Sequence, residues 1–365
     1  MGLALGIRCS GDFRQRTVSE MRVGLIAPPW LPVPPGTYGG TELVLDTLAR
    51  GLEQAGHEVL LVTTGDSTCP VPRSWIYDRA RAAEIGNATV EVRHLVHAYS
   101  ATAKVDVVHD HTVIGPVLAA ARGATNVVTT NHGPFTEDVT AIYRSIGSRV
   151  PIVAISRHQA STSRDVPVAR VIHHGLDVTR YPVGAGSGGY ALFLGRMSAT
   201  KGVTVAIDVA RRAGMPLIIA AKMKEEAERE YFKSAVVPML GTDVTYVGEV
   251  GGTEKSDLLG NAVALLNPIS WDEPFGLCMI EALACGTPVV ATGRGSVAEI
   301  VDQGLTGFVC SDVEDLVQAV VKAGSLDRAA CRAVVESRFS MQEMARNHIA
   351  LYEQVASRRE HRASA

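Results

Sequence analysis

The stretch SWDEPFGLCMIEALACGTPVV, residues 270–290, holds two glutamates eight residues apart, Glu273 before a Pro-Phe-Gly turn and Glu281 beyond it. Pro274 restricts Glu273 to extended geometry and is tolerated in a first helical turn, so a helix is predicted to start close to PFG with Glu273 at its mouth. Gly286 and Pro288 supply the stop, leaving GLCMIEALAC as a short, mostly buried helix. Free amides near Phe275, Gly276 and Leu277 can meet an oxygen-rich ligand. Glu281, about 12 Å further on at ~1.5 Å per residue, can reach another part of it. Two acceptors that far apart suit a long polyhydroxylated ligand better than a single metal ion. The alternative is structural: Glu273 as a cap and Glu281 buried against an arginine.

Two other stretches carry groups for an anion. LFLGRMSATKG sets Arg196 just past a strand and Lys201 five residues later, before Gly202 opens a helix. Ligands of open α/β sheets lie outside the carboxyl ends of the strands, and two cations there suit a pyrophosphate, arginine gripping two oxygens and lysine adding a point charge. PPGTYGGTELVLDTLARG places Gly39 and Gly40 between a strand and a helix, with Thr41 as the expected N-cap and Glu42 in the first turn. This is either a helix start whose bare amides approach an anionic group or a tight turn that needs glycine.

The elements that must position these groups read as alternating apolar runs and helical patterns. MRVGLIAPP, HEVLLVT, VDVVHDH, TNVVTTN and VPIVAIS are strand signals in the first half; YALFLG, PLIIAA, VTYVG, AVALLNP and PVVATG follow in the second. Such alternation predicts βαβ units around parallel sheets. The glycine-rich YPVGAGSGGY separates the halves, giving a first domain over 21–183, a linker over 184–189 and a second domain over 190–340. A helix over 341–365 is expected to cross back onto the first half, and the polar residues 1–20 are read as an extension outside the fold.

Composition fits an α/β enzyme. Of 365 residues 20% are charged, and the net charge of −3 steers the chain neither to nucleic acid nor to an acidic membrane. The six cysteines form no CxxC pair and no finger spacing, which argues against disulfides and structural zinc. No apolar run reaches the ~18 residues of a membrane span, so the expected location is cytoplasmic, at most peripheral at the inner membrane face. No clean GxGxxG follows either opening strand, which disfavours a nicotinamide dehydrogenase.

The motifs EPFGLCMIE, ALACGTPVVATGRGSVAEIV and GRMSATKG together resemble those of the retaining glycosyltransferases of family four, also called group 1. The similarity runs over about residues 21–355 and is strongest from Tyr190 to Cys310. It implies a GT-B fold, two Rossmann-like domains facing a central cleft. It also implies transfer of a sugar from a nucleotide diphosphate sugar, UDP- or GDP-linked, to a hydroxyl acceptor that is a saccharide, lipid-linked or small molecule. Residues matching Arg196 and Lys201 then hold the donor diphosphate, Glu281 the ribose, and Glu273 the hydroxyls of the transferred sugar. In the first half YGGTELVLDTLARGLEQAGHEVLLVT resembles the family's glycine loop, which makes Gly40 a donor-binding position. DVVHDH and TTNHGPF resemble its histidine-ended strands, making His132 a catalytic candidate that approaches the sugar. His111, Ser156 in AISRHQA and Val250 are further cleft candidates, His111 and His109 with weaker claims than His132; His174 and Asp177 either line the cleft or pack at the hinge.

One segment departs from the family: after PLIIA many relatives carry a glycine-rich turn, whereas this chain reads AKMKEEAEREYF with Lys222 and Lys224. The absence of an Asp-x-Asp motif implies diphosphate neutralisation by Arg196, Lys201 and helix amides, with no metal and no cofactor. Two other readings stand beside transfer: a sugar-nucleotide epimerase of related architecture, and a catalytically silent nucleotide-sugar binding protein. The latter should have lost Arg196, Lys201 or the glutamates, and all four are present.

Overall fold

The computed structural model describes residues 20–363, with side chains through Ser357, so the extension read over residues 1–20 lies outside it except for Glu20. The apolar runs of the first half become β1 (Arg22–Ile26), β2 (Glu58–Val62), β3 (Arg73–Ser74), β4 (Val107–Asp110), β5 (Val127–Asn131), β6 (Ile152–Ala154) and β7 (Val168–Val171). All pair in parallel, in the order β3-β2-β1-β4-β5-β6-β7. β3 and β7 lack a strong apolar signal, and sequence patterning misses them because they sit at the edges, where little side chain is buried.

The second half repeats the plan with β8 (Ala191–Arg196), β9 (Leu217–Lys222), β10 (Val244–Gly248), β11 (Ala264–Asn267), β12 (Val289–Thr292) and β13 (Gly307–Cys310). These are also parallel, ordered β10-β9-β8-β11-β12-β13. In each sheet the first strand, β1 or β8, lies where the strand order reverses, and a crevice opens there at the carboxyl ends. Helices cover both faces, so the inner strands are apolar throughout rather than alternating.

The chain crosses between the domains twice, and the two passages hydrogen-bond to each other. The Leu176 amide donates to the Phe339 carbonyl at 2.8 Å, and the Met341 amide donates to the Leu176 carbonyl at 2.7 Å. Beyond this crossing the helix Met341–Ala363 returns to the first domain, as expected, and buries Met344, Leu351, Tyr352 and Val355 in that domain's core. It packs on the helix Gly40–Gln54 at Gly51, where a Cβ would stand 2.9 Å from Met341 Cγ.

The glycine segment after Val183 is hydrogen-bonded to the second domain rather than free-standing. The amides of Gly184, Gly186 and Gly188 donate to the carbonyls of Cys285, Gly260 and Asn261 at 3.0, 2.9 and 2.9 Å. Arg328 donates to the carbonyls of Gly184, Gly260, Ala262 and Cys285 and to Thr287 Oγ1, so one guanidinium satisfies the oxygens that meet here. The five cysteines among the described residues are all unpaired, and no described helix is long and apolar enough to cross a membrane.

Candidate active site

The carboxyl ends of both sheets converge on one cavity of about 440 Å³ between the domains. Its polar wall residues come from strand ends, from the loops that follow them and from the helices those loops lead into. On the first-domain side the loop after β1 brings Tyr38, Gly39, Gly40 and Thr41, the residue after β5 is His132, and His174 comes from the segment after β7. The helix starts at Gly40 with Gly39 in the N-cap position and no side-chain cap, so Thr41 is not the N-cap. First-turn amides are thereby left for a ligand.

On the second-domain side Arg196 ends β8, Lys222 ends β9, Glu249 and Val250 follow β10, and Lys255 lies on the helix Gly252–Asn261. Lys201 is followed by Gly202 at φ +77°, where a Cβ would stand 2.0 Å from the Pro268 carbonyl oxygen; only glycine lets this turn lie against β11's exit. The helix predicted after PFG runs Leu277–Ala284, with Gly276 at its N-cap and Pro274 three residues ahead of it rather than in its first turn. Gly276, Leu277 and Cys278 present that end to the cavity. The turn before it is held from behind by Ser296, whose amide donates to the Glu273 carbonyl at 3.0 Å and whose hydroxyl donates to the Phe275 carbonyl at 2.6 Å.

The glutamates that opened the sequence reading both reach the cavity, each neutralised by its own lysine. Glu273 pairs with Lys201, whose ammonium also lies 4.9 Å from the centre of the Trp271 ring. Glu281 pairs with Lys255 and accepts from the Tyr181 hydroxyl at 3.0 Å. The structural alternative named an arginine partner for Glu281; a lysine and a tyrosine take that place. Among the described residues the Arg196 side chain has no hydrogen-bond or ion-pair partner, and it stands as an uncompensated cation in the wall. Burial pushes the Cys278 thiol up to about 12, with Lys201 acting in the opposite direction.

The divergent AKMKEEAEREYF segment forms the helix Glu226–Tyr231 behind a reciprocal cap between Glu225 and Glu228. It contributes Lys222 to the wall, 5.3 Å from the Tyr38 ring centre, and Lys224 to Glu249 at 3.0 Å. Glu249 in turn accepts from the Tyr38 amide at 3.0 Å and from the Thr37 hydroxyl, fastening the glycine loop of one domain to the other.

Two of the cleft candidates sit elsewhere. Ser156 is fully buried and spends its hydroxyl accepting from the Gln159 amide at 2.9 Å as the cap of the helix Arg157–Thr162. His111 stands behind the wall: its Nδ1 is 2.8 Å from His132 Nε2. Asp177 likewise caps a short turn, while Val250 and His174 line the cavity. Burial lowers His132 to about 3 and holds His111 and His174 well below the ordinary histidine range, so the wall presents neutral imidazoles. Sequence reading missed Trp271, Lys255, Tyr181 and Glu249. Trp271 had a local signal, an aromatic two residues before Glu273; the others join the site only through the folding of distant segments.

The fold is that of a two-domain α/β protein whose sheets bring cations, carboxylates and a helix start to one cavity between them. Residues 38–180 match the model described as Glycosyltransferase Family 4, and residues 188–324 match that of Glycosyl transferases group 1; the short gap includes the start of the glycine segment bonded to the second domain. The chain belongs to this family and is a glycosyltransferase of the GT-B fold. It is 26% identical to the phosphatidyl-myo-inositol mannosyltransferase of Mycolicibacterium smegmatis over 361 residues, 88% of each chain. A shorter match of 162 residues, 34% identical, links it to glycogen synthase of Mycobacterium tuberculosis, covering 41% of this chain and 38% of that one. Among solved structures, AviGT4, a glycosyltransferase of avilamycin A biosynthesis, superposes with TM-score 0.72 at 26% identity, covering 92% of this chain and 98% of its own. Sucrose-phosphate synthase from Thermosynechococcus elongatus shares the fold at TM-score 0.76 and 20% identity, with 93% and 100% covered.

Proposed function

We propose that this glycosyltransferase takes its sugar from a nucleotide diphosphate donor, UDP- or GDP-linked, and transfers it to a hydroxyl acceptor with retention at the anomeric carbon. The observation that carries the reading is the placement of unpaired Arg196, of Lys201 and of the helix start at Gly40 around one cavity that also receives Glu281 and Glu273. A diphosphate fits the cations and amides, with ribose toward Glu281 and the sugar toward Glu273 and His132. UDP and UDP-glucose are bound by the HepE protein of Anabaena, a neighbour in fold, which supports the same class of ligand here.

In this reading the glycosidic C–O bond breaks with its electron pair passing to the diphosphate, whose charge Arg196, Lys201 and the Gly40 amides stabilise. The acceptor oxygen attacks the same face of the oxocarbenium-like sugar, and its proton passes to the departing phosphate oxygen. The neutral side chain of His132 offers a hydrogen bond without competing as an acid. No residue is required as a covalent nucleophile, and charge neutralisation by protein cations removes the need for a divalent ion. Transfer uses all four anchors, whereas neither the epimerase nor the silent binding protein gains support from a particular contact of the site.

Replacing Arg196 or Lys201 with alanine is expected to weaken nucleoside diphosphate binding by about 1.5–3 kcal/mol, the worth of a charge-assisted contact. Lys201→Ala should be the worse of the two, because it leaves the buried Glu273 carboxylate bare against the phosphates, whereas Arg196 has no carboxylate partner to strand. Calorimetric titration with UDP and GDP checks this and identifies the base; unchanged affinity in both variants would sink the proposed site. The melting temperature of ligand-free Arg196→Ala should stay near the parent's, whereas Lys201→Ala should melt earlier, because it strands the buried Glu273 carboxylate.

A further inference from the structure

Five histidines form a file that starts at the crossover helix and ends in the cavity. His348 and His109 have ring centres 5.2 Å apart, His109 and His111 4.0 Å, His111 and His132 5.1 Å, and His132 and His174 5.2 Å. One junction in the file has a consequence for the reacting end. His111 Nδ1 and His132 Nε2 are 2.8 Å apart, close enough that a single proton lies between them. His111 Nε2 is buried and has no partner among the described residues.

Two arrangements satisfy the contact. If His132 Nε2 carries the proton, His111 must carry its own on Nε2, a buried N–H with no acceptor. If His111 Nδ1 carries it, the stranded atom is only a bare lone pair. Orphaned buried N–H groups are the rarer and costlier of the two, so the second arrangement is preferred. His132 then accepts at Nε2 and bears its hydrogen on Nδ1. Among the described residues no group engages that atom, and His132 lines the cavity.

We infer that His111 is a positioning residue that fixes His132 in the Nδ1–H form, making His132 a neutral hydrogen-bond donor to an oxygen of the bound sugar. The inference rests on the donor reading above for the identity of the ligand, but not for the tautomer. His109 is held in its turn by the Tyr352 hydroxyl at 2.7 Å and Thr130 Oγ1 at 2.8 Å, so the rings behind His111 have no freedom to relieve it by turning. The burial that keeps His132 uncharged keeps the arrangement in force across the neutral pH range.

The test is long-range proton–nitrogen correlation NMR on the full chain labelled with 15N-histidine at pH 7.5, with His132 assigned by its loss in His132→Gln. The parent should show His132 as Nδ1–H. His111→Leu removes the donor and should move His132 toward Nε2–H, with kcat falling at least about tenfold while the donor KM changes little. His111→Asn, whose amide nitrogen can stand where Nδ1 stands, should restore both the tautomer and most of kcat. An Nε2–H form in the parent, or an unchanged tautomer in His111→Leu, overturns the inference even should that variant prove unstable for kinetics. Failure of the parent to turn over any UDP- or GDP-sugar would instead strike at the donor reading and leave the tautomer result standing.

Discussion

Acidifying a solution of this protein from pH 7.5 to 5.5 is expected to remove most of its folding stability. His94, His109, His111, His132, His174 and His348 are all held below the ordinary histidine value of 6.5, in every case chiefly by burial. A group with a depressed folded pKa takes up its proton only when the chain unfolds. Each therefore favours the unfolded state as the pH drops through 6.5, by about 1.4 kcal/mol per pH unit. Six such groups give about 8 kcal/mol one unit below their unfolded pKa. Three buried carboxyls oppose this, Glu91 among them, raised by burial. Burial raises Glu42 to about 7 and Asp110 to about 6, so they bind protons in the fold that the unfolded chain releases, and they stabilise the fold as the pH falls. The joint return of Glu42 and Asp110 over the same interval is about 3 kcal/mol. The net loss of about 5 kcal/mol is the size of a whole domain's stability. Urea unfolding at pH 7.5, 6.5 and 5.5 should show it; stability that stayed level or rose would mean that the histidine file is hydrated and charged in the folded protein.

The histidine file also marks where sequence reading stopped. Parallel strands buried on both faces give continuous apolar runs, so AVALLNP and PVVATG announce themselves, and the chemistry they position follows within a few residues of each strand's end. Arg196, Lys201, His132 and the Glu273–Glu281 stretch were legible for that reason, and the resemblance to a known family lent them roles. Partners drawn from other segments were not. Nothing in the spacing says that Lys255 will pair with Glu281, or that Glu249 will fasten the glycine loop 211 residues upstream. His111 and His132 look alike in sequence, each following a strand; only the neighbouring pairing of β4 with β5 sets one ring behind the other. Ser156 shows the converse error, since a hydroxyl at a strand's end is as useful for starting the next helix as for touching a ligand.

The two glutamates should fail in opposite ways when their charge is removed. Glu281→Gln keeps an oxygen for the Tyr181 hydroxyl but leaves the enclosed Lys255 ammonium without its counter-charge, and stranding a buried charge costs about 3–5 kcal/mol. The variant should melt earlier, and by losing the acceptor assigned to ribose it should bind donor and free nucleoside diphosphate about 10- to 100-fold more weakly. Glu273→Gln does the reverse at the phosphate. It releases Lys201 from its carboxylate, so that the full ammonium charge is available to the diphosphate, and free nucleoside diphosphate should bind at least as tightly as to the parent. Catalysis should nonetheless fall by about a hundredfold, since the carboxylate's hydrogen bonds to the sugar strengthen as positive charge develops at the anomeric carbon. Calorimetry with nucleoside diphosphate and single-turnover rates with the cognate donor separate the two cases. Equal losses of nucleoside diphosphate affinity in both variants, with the Glu273→Gln rate intact, would assign the pair to holding the helix Leu277–Ala284 in place rather than to the donor.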